Sequence, residues 1–340
     1  MRKPANHDQP PLIDPALPKI ELHLHIEGAA PPAFIRGLAR EKKLDIDGIF
    51  SVEGAYAYHD FWDFLKVYEA ACTTLQTPRD FARLTAAVLE QSARDGVIYT
   101  EVFISPDFCG GGDPGAWREY LHAIEEAATE ARRAHGIEMR GIVTCVRHFG
   151  AEKARASARC AAETAGPFVT GFGMGGDEKF GQPADFAWAF DCAREAGLRL
   201  TSHAGEWGGP ESVRDTLDAL KVERIGHGVR AIEDPALVAE LAERGVVLEV
   251  CPGSNVALGL YARFSDHPVA RLRERGIKLT LSTDDPPFFH STNVREYEAL
   301  AHAFGWTAAD FLAINADAAR AAFCDDATRR ALLSRLESAA

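Results

Sequence analysis

Residues 21–29 read ELHLHIEGA. On a β-strand successive side chains alternate between faces, so His23 and His25 share a face with Glu21, and the acid Glu27 follows at the same two-residue step. Leu22, Leu24 and Ile26 take the other face. Two imidazoles at a strand end, just before Gly28, are either core histidines satisfied by neighbouring loops or the first half of a metal site. The pair alone does not separate these readings. Further along, histidines and carboxylates recur beside glycines and prolines: His203 in SHAGEWGG, His227 in GHG, and Asp284 with Asp285 in STDDPP. Each has an ordinary reading by itself, since Asp-Asp-Pro also starts turns. Taken together, three imidazoles and a carboxylate suit zinc, with a coordination position left for water. The other eight histidines, among them His7, His135 and His302, read as surface or core residues.

Groups this far apart in the chain meet only if the fold gathers strand ends. From residue 94 a phrase repeats, with a helix end, a glycine and then a β-rich run: RDGVIYTEVFI, AHGIEMRGIVTCV, TAGPFVTGFGM, EAGLRLTSHAG, ERGVVLEVCPG and ERGIKLTLSTDD. The glycine suits a left-handed helix C-cap and the β-branched run a buried parallel strand. Amphipathic segments such as ADFAWAFDCARE and DPALVAELAERG separate the runs. With KIELHLH in front and VERIGHG between two of the others, the count is eight strands, which predicts an α/β fold of the (β/α)8 TIM-barrel type. A doubly wound open sheet is the alternative, weakened because no G-x-G-x-x-G follows the first strand. In a barrel the polar residues that end strands 1, 4, 5, 6 and 8 converge on one face. Roughly seventy residues separate the first strand from the second, too many for one crossover helix, so extra helices are expected there. Within them DFWDFLKVYEA sets Phe61, Phe64, Leu65 and Tyr68 at helical spacing. Packing on the barrel is the expectation for most of these; a lid over the active face is the alternative. More helices are expected in the tail, 293–338.

The formal charge of −13 lacks the basic footprint of a nucleic-acid-binding surface. Seven cysteines, an odd number with no C-x-x-C, suggest neither a zinc knuckle nor a disulfide framework. Residues 1–17 have no apolar h-region and read as a disordered lead-in to a single domain over 18–340. No apolar run is long enough to span a membrane. A cytoplasmic setting follows as the expectation. A homo-oligomer is compatible with the sequence, which does not define the oligomeric state.

ELHLHIEGA, HAGE, RIGHG and STDDP, in this order, resemble the adenosine deaminase family of the metal-dependent amidohydrolases, and YTEVFISPD and GFGMGGDE match further family segments. The resemblance spans residues 18 to 320. It implies one Zn2+ per chain held by His23, His25, His203 and Asp284, with a water whose pKa falls from about 15.7 towards 7. Relatives with two metals bridge them through a modified lysine ending strand 4; here Met174-Gly175-Gly176 stand there and Lys179 lies beyond, so a mononuclear site is implied. Glu206 is implied to protonate N1 of a purine while water adds at C6, and His227 to orient that water and stabilise the developing oxyanion. Asp285 would face N7 and the Gly176 N–H would face N3, with His25 and Glu27 also at the substrate. The H-x-E and P-C-x-x-C pattern of deaminases acting on nucleic acid is absent, so a free small-molecule purine is expected. A non-catalytic zinc scaffold leaves Glu206, His227 and Asp285 unexplained, and a lactone or phosphoester hydrolase lacks its bridging lysine. Glu27 bears on the substrate. Adenosine deaminases commonly carry aspartate there and adenine deaminases glutamate, whereas GFGMGGDE and RIGHG look more like the nucleoside enzymes. The expectation is hydrolysis of adenosine and 2′-deoxyadenosine to inosine-type products and ammonia, with adenine to hypoxanthine as the alternative.

Overall fold

The computed structural model describes residues 11–340. Eight strands, β1 (Lys19–His25), β2 (Val97–Ile104), β3 (Glu138–Val146), β4 (Val169–Gly175), β5 (Arg199–Ala204), β6 (Arg224–His227), β7 (Val247–Val250) and β8 (Leu279–Leu281), pair in chain order. Every pairing is parallel. The ends of the order meet as well. The His25 N–H donates to the Asp284 carbonyl at 3.1 Å and the Asp284 N–H to the His23 carbonyl at 3.2 Å, which closes a (β/α)8 barrel at the C-terminal ends of the strands. Strand β1 follows its alternation: Leu22, Leu24 and Ile26 are fully buried against the helical layer. The glycines that precede β2, β3, β5, β7 and β8 adopt positive φ, as the C-cap reading requires. Before β4 the helix ends differently, with Ala165 extended and bridged to Val169.

Three α-helices fill the connection between β1 and β2: Pro32–Lys42, Phe61–Cys72 and Pro78–Arg94. The middle one starts at Asp60, whose carboxylate accepts from the Asp63 N–H. Its Phe64, Val67 and Ala71 are buried, while Phe61, Leu65 and Tyr68 turn toward the barrel mouth. Three helices follow β8, at Asn293–Phe304, Ala308–Ala321 and Asp326–Glu337. The second seals the barrel floor, where the Asn315 side chain accepts the β1 Ile20 N–H at 2.7 Å. Also on the floor, Arg224 spans the interior between Glu101 and Glu249, at 2.6 Å from each, over the Phe323 ring. Of the lead-in, residues 1–10, with His7, lie outside the described residues. From residue 11 the chain is anchored: Ile13 and Leu17 are buried, and the Ile13 N–H donates to the Glu298 carboxylate. No helix among the described residues is long and apolar enough to cross a membrane. All seven cysteines are free thiols.

Candidate active site

At the C-terminal ends of the strands a cavity of about 80 Å³ opens between the barrel and the Phe61–Cys72 helix. Its walls include His25, Glu27, Gly176, His203, Glu206, His227, Asp284 and Asp285. His23 sits behind them, fully buried. All nine residues singled out in the sequence are therefore brought to one place.

One ligand atom from each of His23, His25, His203 and Asp284 falls within 4.8 Å of the others. The ring orientations test whether a cation suits this group. The His23 Nδ1 lies 2.8 Å from the Glu249 carboxylate, and the His203 Nδ1 lies 2.7 Å from the Met174 carbonyl, which can only accept. Both Nδ1 atoms are thus committed as donors, and in the neutral rings both Nε2 atoms carry lone pairs. Those two Nε2 atoms face each other at 2.9 Å, inside the protein. Two lone pairs so placed repel unless a proton or a metal cation lies between them. Although burial disfavours charge on His23, its bonds to Asp284 and Glu249 push it up to about 9, so this ring carries that proton whenever no metal is bound. The His25 Nε2 joins at 3.4 Å from that of His203 and 3.3 Å from Asp284 Oδ1. Burial holds His25 and His203 below the usual imidazole range, in the neutral form that ligates. For Asp284, burial is outweighed by its bonds to His23 and His25, which keep it an anion. The donor set fits a divalent metal, with His23 and His203 oriented through their second nitrogen. Among the described residues lining the cavity none is a lysine.

The groups around this cluster differ in protonation. Glu206 is buried, and desolvation together with the Asp284 and Glu178 charges pushes its carboxyl well above the ordinary range. Asp285 is pushed up by burial and by Asp284, and its Oδ1 has no hydrogen-bond partner. Glu27 is raised by burial to about 7; it accepts from the Ser105 N–H and the Tyr68 hydroxyl, both at 3.3 Å. Gly176 has φ +94°, and a Cβ there would meet His148 Nδ1 at 2.7 Å. Two non-glycine residues, His227 (φ 60°) and Asp284 (φ 66°), hold left-handed backbone at the site, a conformation that persists only where surrounding contacts enforce it.

The tautomer of His227 is set from outside the cavity. The Val269 N–H donates to His267 Nδ1 at 3.1 Å, so His267 donates from Nε2 to Asn255 Oδ1, also at 3.1 Å. That turns the Asn255 amide nitrogen to His227 Nδ1 at 3.3 Å. His227 Nδ1 accepts, and its proton sits on Nε2, 3.8 Å from both Glu206 and Asp284. Burial lowers this imidazole to about 4, so the ring is neutral.

Several participants were not picked out from the sequence. Glu249 lies inside the apolar run VVLEV, Ser254 donates to Asp284 Oδ2 at 2.7 Å, and Asn255 and His267 orient His227. His148, one of the histidines read as ordinary, lines the cavity and pairs with Glu69 at 3.2 Å. Phe61, Phe64, Leu65 and Tyr68 do both: Phe64 belongs to the apolar core and the other three pack against it, as expected, and all four line the cavity. Glu21, on the same strand face as the histidines, is a core acid whose Oε1 accepts from the Thr283 N–H and hydroxyl.

Comparison with known proteins agrees with this geometry. A family model described as Adenosine deaminase matches residues 18–339. A protein named adenine deaminase from Rhizobium leguminosarum bv. trifolii (strain WSM2304) is 49% identical over 320 residues, 94% of this chain and 99% of that protein. Another of that name, from Chelativorans sp. (strain BNC1), is 49% identical over 321 residues, 94% of this chain and 98% of its own length. Among solved structures, an adenine deaminase from Arthrobacter aurescens superposes with a TM-score of 0.86 at 30% identity, covering 97% of this chain and 99% of that one. An amidohydrolase from Burkholderia ambifaria, with bound Zn, gives a TM-score of 0.85 at 28% identity, covering 96% and 92%. The chain belongs to the adenosine deaminase family and is a metal-dependent deaminase.

Proposed function

We propose that the protein is a zinc-dependent adenine deaminase, converting free adenine and water to hypoxanthine and ammonia. The observation that carries the choice of substrate is Glu27, a buried glutamate clasped by Ser105 and Tyr68 in the wall of the cavity. Its extra methylene, relative to aspartate, occupies room that a ribose would need. The relatives at 49% identity named adenine deaminase support the same reading, and nothing in them supports the adenosine preferred from GFGMGGDE and RIGHG.

In this reading His23, His25, His203 and Asp284 hold one Zn2+, which supplies a water acidic enough to add to the ring at neutral pH. Glu206, kept protonated by its burial, gives its proton to N1 as the ring loses aromaticity. His227 offers its Nε2 proton to the oxygen that develops charge at C6, a donor fixed in place before the reaction begins. Asp285, protonated and without a partner at Oδ1, donates to N7. The left-handed turn at Gly176 brings backbone close to the N3 edge. Phe61, Phe64 and Leu65 cover the ring and exclude water. Glu249, which holds the far nitrogen of His23, orients the ligand; Glu249→Gln is expected to weaken metal affinity by about 10–100-fold in chelator competition.

The deciding experiment measures kcat/KM for adenine and adenosine side by side, with ammonia release as the readout. Adenine is expected to exceed adenosine by about 10²-fold or more, because a steric clash discriminates more sharply than a missing contact. Glu27→Asp is expected to narrow that gap by improving adenosine turnover. Equal values, or a preference for adenosine, would return the assignment to the nucleoside.

A further inference from the structure

Glu178 lies in the connection after β4 and is nearly fully buried, yet it is not part of the cavity wall. Its two oxygens are spent on another segment, the loop that follows β5. They accept from the backbone N–H groups of Gly205 (2.5 Å), Glu206 (3.1 Å), Trp207 (2.7 Å) and Gly208 (2.8 Å), and from the Ser212 hydroxyl. Four consecutive amides around one carboxylate form an anion nest closed by a side chain of the same protein. Such a cluster of donors suits only an acceptor. The spelling of the loop agrees, since a Cβ at Gly208 would come within 2.5 Å of Glu178 Oε1 and 2.6 Å of Ser212 Cβ. Both sides of the clasp are pinned from outside. Arg230 donates to the Trp207 carbonyl at 2.6 Å, and Arg147, buried, donates to the carbonyls of Phe180 and Gly181 just beyond Glu178.

The loop so held carries Glu206, whose peptide N–H is itself one of the four donors. We propose that Glu178 is a positioning residue for proton donation: by binding the 205–208 backbone it fixes where the Glu206 carboxyl meets the substrate ring. This rests on the role of Glu206 proposed above and adds a residue that acts only through it. The metal ligands do not depend on this clasp, because His203 is oriented by the Met174 carbonyl.

The test is a double-mutant cycle on the metal-loaded enzyme with adenine as substrate. Glu178→Gln turns an amide N–H toward backbone donors; kcat is expected to fall by about 10²-fold, the scale of a misplaced catalytic group, while KM and metal content stay close to wild type. Hydrogen exchange of the peptide spanning 205–208 is expected to quicken. In a Glu206→Gln background the same change is expected to cost almost nothing further, because coupled residues are not additive. A loss of equal size in both backgrounds, or unchanged exchange, overturns the proposal while leaving Glu206 in its role. A Glu206→Gln enzyme with near-normal kcat removes Glu206 from the mechanism and this proposal with it. If Glu178→Gln does not fold, Ser212→Ala removes one of the five donors and enters the same cycle. A several-fold loss that vanishes in the Glu206→Gln background supports the proposal, and an unchanged kcat or an additive loss overturns it.

Discussion

Alanine at His23 is expected to remove metal and activity together. Purified wild type should contain close to one zinc per chain, since the two groups of convergent ligand atoms, one with His25 and His203 and one with His227 and Cys251, share His23 and Asp284 and so overlap in a single site. His23 contributes the fully buried Nε2 that faces His203 at 2.9 Å, and its other nitrogen is held by Glu249. Truncation leaves only three of the four donors and strands the Glu249 carboxylate without that partner. Turnover is expected to drop by at least about 10³-fold, equivalent to several kcal/mol of lost Lewis-acid stabilisation. Metal analysis supplies a readout independent of turnover. Thermal stability supplies another: a bound ion stabilises the folded state by mass action, so chelator should lower the wild-type Tm and leave that of His23→Ala nearly unmoved. Two metals per wild-type chain, or a His23→Ala protein that still holds its ion, would sink the mononuclear assignment.

The order of the strands and the residues at their ends were legible because both are local signals. A glycine after a helix and a β-branched run after the glycine are read within a dozen residues, and barrel topology then dictates which ends converge. That convergence gathers His23, His25, His203, His227 and Asp284, while the separate role of each came only with the family resemblance. What stayed hidden acts across elements. Glu249 sits in a strand that reads as plain core, and its meaning comes from His23 and Arg224, 226 and 25 residues away. Asn255 and His267 have no pattern linking them to His227, yet they determine which of its nitrogens carries the proton. Glu178 belongs to a recognisable segment, but its partners are backbone amides, which no residue-type pattern reveals. The Phe61–Cys72 helix shows a different limit. Apolar spacing is the same for a face that packs on a core and for one that roofs a cavity, and this helix does both with neighbouring residues. The choice of substrate rests on one residue against two segments: Glu27 and the relatives named adenine deaminase favour adenine, as proposed, while GFGMGGDE and RIGHG look more like the nucleoside enzymes.

Glu206→Gln separates chemistry from metal binding. The Glu206 carboxyl lines the cavity at 3.8 Å from His227 Nε2, but it is not among the four residues whose atoms converge as ligands. Glutamine keeps the shape and the buried volume, so zinc content and Tm should remain close to wild type. It cannot transfer a proton to N1. Water addition at C6 then has to place negative charge on a ring nitrogen inside a buried site, where unpaired charge is costly. Loss of a positioned general acid lowers rates by about 10²–10⁴-fold, and the fall is expected mainly in kcat because N1 protonation belongs to the transition state. In the proposed mechanism His227 does not substitute, since its Nε2 proton serves the oxygen at C6, and its Nδ1 is occupied by Asn255. Steady-state kinetics on adenine, with metal content measured on the same preparation, give the answer. A Gln enzyme with full zinc and near-normal kcat would show that N1 receives its proton elsewhere; one that has lost zinc would show that Glu206 helps to build the metal site.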